Sequence, residues 1–218
     1  MTTERPQDTN HGQYFSDPVS HFKSIPWCAE LLFDKSIIHV AVPDRRMKLD
    51  GEYTLVKETL NSAETVRACM TYFRLPKRGR GQLQHGEDKK NPFVEISTLL
   101  DLGGGINSYA KTCHGGFIAT VFDEVMGTAA WQQSGGIPDN GAYTVDMNLK
   151  FRKPLFTPTV VRCLGRVVKK EGRRIIVEAA LIGEDGNVYA DAQALFLEMK
   201  RNIGKAPEAK YGTAKSNL

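Results

Sequence analysis

Nowhere in the 218 residues does an apolar run approach the roughly 20 residues that a membrane-spanning helix needs, so no membrane span is expected. The opening MTTERPQDTNHGQ has neither a hydrophobic signal core nor the Arg-rich, acid-poor character of a transit peptide. Cysteine is sparse. The four cysteines, at 28, 69, 113 and 163, form no CxxC pair, which argues against a zinc site or a thioredoxin-type motif and for reduced thiols in an intracellular protein. No GxSxG is present, which excludes the nucleophile elbow of an α/β-hydrolase, and the glycines at 103–105 are not followed by the GK[ST] of a phosphate-binding loop. Charge of one sign is in only slight excess: the net charge is +4 and charged residues make up 25%, so the average field calls for no nucleic acid. A local basic site for an anionic ligand stays open. Repeats and low-complexity segments are also absent. A cytoplasmic protein is the expectation; the last residues, SNL, approximate an SKL-type address without its central basic residue, so peroxisomal and mitochondrial compartments stand as alternatives.

What is present suits one compact domain with peripheral sequence, since 41% of the chain is apolar. Residues 1–65 read as a polar tail followed by a helical cover. Asp17-Pro18 is a helix-start signal, Pro26 restarts the helix, and 27–32 and 52–60 show mixed apolar spacing. The main domain is expected over 66–200 and a C-terminal tail over 201–218. Within the domain, 66–75 and 93–102 are strand-like and flank the polar loop PKRGRGQLQHGEDKKNP, and 107–113 is a shorter strand candidate. In YTVDMNLKF, residues 143–151, Tyr143, Val145, Met147, Leu149 and Phe151 alternate with polar residues, the pattern of a half-buried strand. Strands over 159–168, 174–182 and 188–199 follow, joined at Glu171-Gly172 and Asp185-Gly186 as antiparallel hairpins. The fold class is α+β, a long central helix against a curved antiparallel sheet.

That helix, HGGFIATVFDEVMGTAAW at 114–131, places Phe117, Ile118, Val121, Phe122, Val125, Met126 and Ala129 on one wide apolar face. Gly116, Thr120, Asp123 and Gly127 fall within an arc of about 60° elsewhere on the wheel. Glycines on a helix cost about 1 kcal/mol each against alanine, so a stripe of small residues around one carboxylate points to close approach of a ligand or another backbone. Glu124, turned about 100° from Asp123, reads as a rim acid. At the helix start the first N–H groups lack intrahelical partners, and Gly115 and Gly116 leave them open to a carbonyl oxygen, as acyl transfer requires of an oxyanion site. Gly116 and Asp123 are nevertheless about 10 Å apart along the axis, too far to act on one carbonyl carbon. Two antiparallel copies of the helix about a two-fold axis would bring the start of one beside Asp123 of the other.

HGGFIATVFDEVMG, YTVDMNLKFRKPL and KKEGRRIIVEAALIGEDGNVYADAQALFLEM together resemble hotdog-fold acyl-CoA thioesterases of the PaaI-like branch, over about 66–199. The resemblance implies a hotdog fold, a homodimer or dimer of dimers with sites at its interface, and hydrolysis of a thioester on coenzyme A or an acyl-carrier protein. No cofactor or metal is implied. Asp123 matches the catalytic acid, as general base or nucleophile. Gly116, with Gly115 beside it, matches the carbonyl-polarising donor, Thr144 the hydroxyl that positions the carboxylate or water, and His114 an orienting hydrogen-bond partner. Lys150, Arg152, Arg173 and Arg174 fall where the coenzyme would lie, and arginine offers bidentate contacts to its phosphates. Where some relatives place Asn six residues before the motif histidine, this chain has Ser108, with Asn107 as its neighbour. Competing readings are a Cys113/His114 nucleophile pair, a hotdog hydratase or dehydratase, and a non-catalytic acyl-CoA-binding module.

Overall fold

The computed structural model describes residues 12–46, 52–76, 83–135 and 141–199. The tail expected at 201–218, most of the N-terminal tail and residues 77–82 of the 76–92 loop lie outside the described residues. Helix α3 (Gly115–Gln133) occupies the hollow of a seven-stranded sheet. It forms because its buried residues recur at three- and four-residue steps, from Phe117 and Ile118 to Ala129 and Ala130. His114 caps its start, and Gly135, at φ 100°, follows its end in a conformation that favours glycine.

The strands are β1 (Ile37–Ala41), β2 (Val66–Arg74), β3 (Glu95–Leu102), β6 (Ala142–Phe151), β7 (Thr159–Glu171), β8 (Arg174–Ile182) and β9 (Val188–Glu198). They pair antiparallel in the order β1-β2-β3-β7-β8-β9-β6. A separate small hairpin, β4 (Asn107–Tyr109) and β5 (Thr112–Cys113), occupies the stretch expected as one short strand and leads into α3. The helix approaches the sheet closely over β7 to β9. There, a Cβ on Gly165 would sit 3.1 Å from a Val125 methyl, and β9 presents the buried small side chains of Ala190, Ala192 and Ala194.

The outer face of β2 and β3 carries a second core. Helices α1 (Pro18–Lys23) and α2 (Pro26–Leu32) bury Phe22 and Cys28 against Ala68, Met70, Tyr72 and Leu99. The expected helical cover is therefore present, and 55–59 forms one π-helical turn. The strand β1 was not foreseen: IIHVA is short, has an exposed centre and shows no alternation to signal it. Gln13 extends the pairing beyond β1, its side-chain amide donating to the Cys69 carbonyl at 2.9 Å and its oxygen accepting from the Cys69 N–H at 2.6 Å. Buried Asp101 ties α1 to the sheet, accepting from Arg67 at 3.0 and 2.5 Å and lying 2.8 Å from His21 Nε2.

The expectation of a half-buried, regularly alternating strand at 143–151 needs correction. β6 is an edge strand, and a bulge between Thr144 and Asp146 breaks its alternation. Before the bulge Thr144 pairs with buried Phe196; after it Met147 and Leu149 pair with buried Ala194 and Ala192. Thr144 thus shares the helix-facing side with Met147 and Leu149, because the extra residue of a bulge resets the two-residue period. Tyr143, Val145 and Phe151 remain more than half exposed.

All four cysteines are free and buried; burial pushes the Cys28 and Cys113 thiols up to about 12 and raises Cys69 and Cys163 as well. Because Asp101 is the shared acceptor of the His21 and Arg67 contacts, Asp101→Ala is expected to cost about 3 kcal/mol of stability in urea denaturation. A loss below about 0.5 kcal/mol, the ordinary surface effect, would contradict this role of Asp101.

Candidate active site

The flank of α3 that faces β6 brings together Asp123 and Thr144. The Thr144 hydroxyl donates to Asp123 Oδ1 at 2.6 Å, which leaves Oδ2 without a side-chain donor among the described residues. The contact depends on the β6 bulge, since regular alternation would turn Thr144 away from the side that Met147 occupies. Around the carboxylate the helix surface is cut back to Gly116, Gly127 and Thr120; the Thr120 hydroxyl donates to the Gly116 carbonyl at 3.1 Å. Glu124 stands on the rim of the next flank. Crowding by the surrounding protein, and after it the neighbouring Asp123 carboxylate, push its carboxyl above the usual range.

At the helix start His114 accepts through Nδ1 from the Gly116 N–H at 2.8 Å. The donor assigned to a thioester carbonyl is therefore held by its own motif histidine. The Gly115 N–H has no acceptor among the described residues, as expected for the first position of a helix. Gly115 also lies beneath the Phe151 ring, which a Cβ would meet at 2.9 Å. Cys113 is buried with its thiol held protonated, which disfavours a Cys113/His114 nucleophile pair. Asn107 is turned to Thr157, whose hydroxyl donates to Asn107 Oδ1 at 2.6 Å.

The four basic candidates do not gather within the chain. Arg152 lines a small pocket with Gly115, Phe151 and Lys153 at the start of α3, and is paired with Asp191, whose carboxyl it holds below the usual range. Lys150 lines a separate groove on the sheet with Asp146 and Asn148. Arg173 and Arg174 sit at the β7–β8 turn, where Arg173 donates to the Glu198 carbonyl at 2.8 Å. Glu198 pairs with Ala142 at the far end of β6 from Phe151, so this turn and Arg152 lie at opposite ends of the sheet.

Residues 110–190 match the Thioesterase superfamily. The matched segment takes in α3 and the strands β6, β7 and β8, so this part of the chain is similar to thioesterases of that superfamily. A curated relative, verlamelin biosynthesis protein B of Lecanicillium sp, is 29% identical over 186 residues, covering 71% of this chain and 78% of that protein. Mouse acyl-coenzyme A thioesterase THEM4 is 32% identical over 109 residues, covering 49% of this chain and 45% of the mouse protein, so the match spans less than half of that relative. Among solved structures, a Bacillus halodurans protein crystallised with CoA shares 26% identity with a TM-score of 0.42, covering 47% of this chain and 66% of its own.

Sequence reasoning did not reach Phe151 as the roof over Gly115 or His114 as the cap of Gly116. The first was hidden because β6 reads as an ordinary strand; the second had a signal, a hydrogen-bonding side chain at the residue before the helix. The raised Glu124 carboxyl gives a pH-dependent test. In the folded protein Glu124 releases its proton later than in the unfolded chain, so its ionisation lowers stability as pH rises beyond the usual carboxylate range. Glu124→Gln is expected to raise the melting temperature at pH 7 relative to wild type, with the difference shrinking below about pH 4. Equal differences at both pH values would contradict this assignment.

Proposed function

We propose that this chain hydrolyses acyl-CoA thioesters, with Asp123 as general base in a site completed by a second copy of the chain. The observation that carries this reading is the 2.6 Å bond from Thr144 to Asp123 Oδ1, on a helix flank stripped to small residues. With Oδ1 held, Oδ2 takes a proton from water as the water oxygen attacks the thioester carbon. The carbon–sulfur bond then breaks, the proton passes to the departing sulfur, and the products are a carboxylic acid and a free thiol. The oxyanion that develops needs N–H donors, and Gly115 and Gly116 offer them at a helix start, where the dipole is also favourable. His114 keeps the Gly116 N–H paired until a carbonyl oxygen replaces it.

One helix cannot supply both halves, because Gly116 and Asp123 are separated by about 10 Å along its axis. The exposed apolar residues of edge strand β6, Tyr143 and Val145, favour an antiparallel copy there. Such pairing would set the helix start and Arg152 of one copy opposite Asp123 of the other, with the Arg173–Arg174 turn on the same side as the latter. This arrangement would reunite the separated basic groups around the coenzyme's phosphates. The name of the mouse relative favours coenzyme A as the carrier. An acyl-carrier protein presents the same phosphopantetheine arm and belongs in the test.

Thiol release from acyl-CoAs and acyl-carrier proteins is expected for wild type. Asp123→Asn should lower kcat by at least about 100-fold and Thr144→Ala by about tenfold. Absence of cleavage, an equally fast Asp123→Asn protein, or hydration of an enoyl thioester in place of cleavage would refute the reading. Mixing inactive Asp123→Asn and Gly116→Val proteins under subunit exchange should restore up to about a quarter of wild-type activity, since half the dimers then hold one intact site. No recovery would place both halves of the site in one chain.

A further inference from the structure

On the flank of α3 opposite β6 lies a cavity of about 560 Å³, bounded by the inner faces of β2 and β3. Along the helix it extends from Phe117 to Trp131, about 21 Å at 1.5 Å per residue, and is centred at the level of Glu124. Thr120 belongs both to its rim and to the small-residue stripe around Asp123. Phe117 is buried and closes the end near the helix start, while Trp131 is half-buried at the other. The space stays open because α3 settles onto Gly165 and the alanines of β9, whereas β2 and β3 offer the small side chains Thr71 and Thr98, which are spent on each other at 2.9 Å.

The third wall, like β2 and β3, comes from outside the matched thioesterase segment. Residues 43–45 and 53–60 close the cavity through Val56 and Leu60, among others. Arg45, only 5% exposed, clamps this wall to the sheet: Nε donates to the Val56 carbonyl at 3.0 Å, Nη1 to the Val66 carbonyl at 3.0 Å, and Nη2 to the Val56 and Leu60 carbonyls at 2.7 and 2.5 Å. A guanidinium engaged on backbone oxygens holds a wall and does not offer an anion site.

We infer that this cavity receives the acyl chain of the thioester, and that the Arg45-clamped wall makes the N-terminal extension the part of the chain that selects acyl length. The occupant is an extended aliphatic chain that enters over Thr120 and Glu124 and runs toward Trp131. The elongated shape and the predominantly apolar walls fit such a chain better than a compact ring. The assignment rests on the thioesterase reading above.

Val56→Trp, which fills the cavity from the extension side, is expected to lower the ratio of kcat/KM for hexadecanoyl-CoA to that for butanoyl-CoA by about tenfold or more. A binding measurement keeps the idea testable without turnover. Trp27 and Trp131 are the only tryptophans, so in a Trp27→Phe protein fluorescence reports Trp131 alone. Saturable quenching by 9,10-dibromostearate, weakened about fivefold or more by Val56→Phe, is expected if the bromines lie in the cavity. Thioester cleavage with an unchanged chain-length ratio and no quenching would overturn the cavity assignment. Quenching without cleavage of any thioester would overturn the hydrolytic reading and leave an aliphatic-chain site.

Discussion

The depth to which α3 sinks into the sheet governs the rest of the molecule. A helix buries its apolar face most fully where the opposing side chains are small, and here those side chains are Gly165 on β7 and the alanines of β9. The helix consequently leans on one half of the sheet and stands off from the other. On the close side, β6 comes near enough for a threonine hydroxyl to reach a helix carboxylate; on the distant side, space remains for a ligand. Both features follow from the same uneven packing. Residues that look like filler in the sequence therefore set both the approach of Thr144 to Asp123 and the width of the cavity.

The helix also divides labour along its length. Its start offers backbone donors, its middle a carboxylate, and the rise per residue keeps the two apart. A fold with this geometry has a structural reason to associate, and β6 offers an unpaired edge with exposed apolar side chains on which to do so. The basic side chains show the same division, since Arg152 lies by the helix start and the Arg173–Arg174 turn at the other end of the sheet. The proposed two-chain site accounts for both separations with one operation.

Much of this was legible in the sequence because it is periodic or carries local turn chemistry. The apolar spacing of 117–130 specifies α3, the EG and DG turns specify the β7–β8–β9 hairpins, and the small residues around Asp123 mark the flank that the Thr144 hydroxyl reaches. The unread parts depend on contacts between distant residues. A bulge in β6 has no compositional signature in YTVDMNLKF, yet it puts Thr144 on the helix side. Strand β1 exists because β2 offers it an edge, a condition that five residues cannot announce. Arg45 looks like any arginine of a polar segment until the carbonyls of Val56, Leu60 and Val66 surround it.

The burial of every cysteine acquires a further meaning under the proposed reaction. Hydrolysis of a thioester would liberate a free thiol at each turnover, and such a thiol forms a mixed disulfide with an exposed protein cysteine once that cysteine has been oxidised. Cys28, Cys69, Cys113 and Cys163 are withdrawn from solvent and held as neutral thiols. Under the proposed reaction, buried neutral thiols leave the released thiol little protein sulfur to meet.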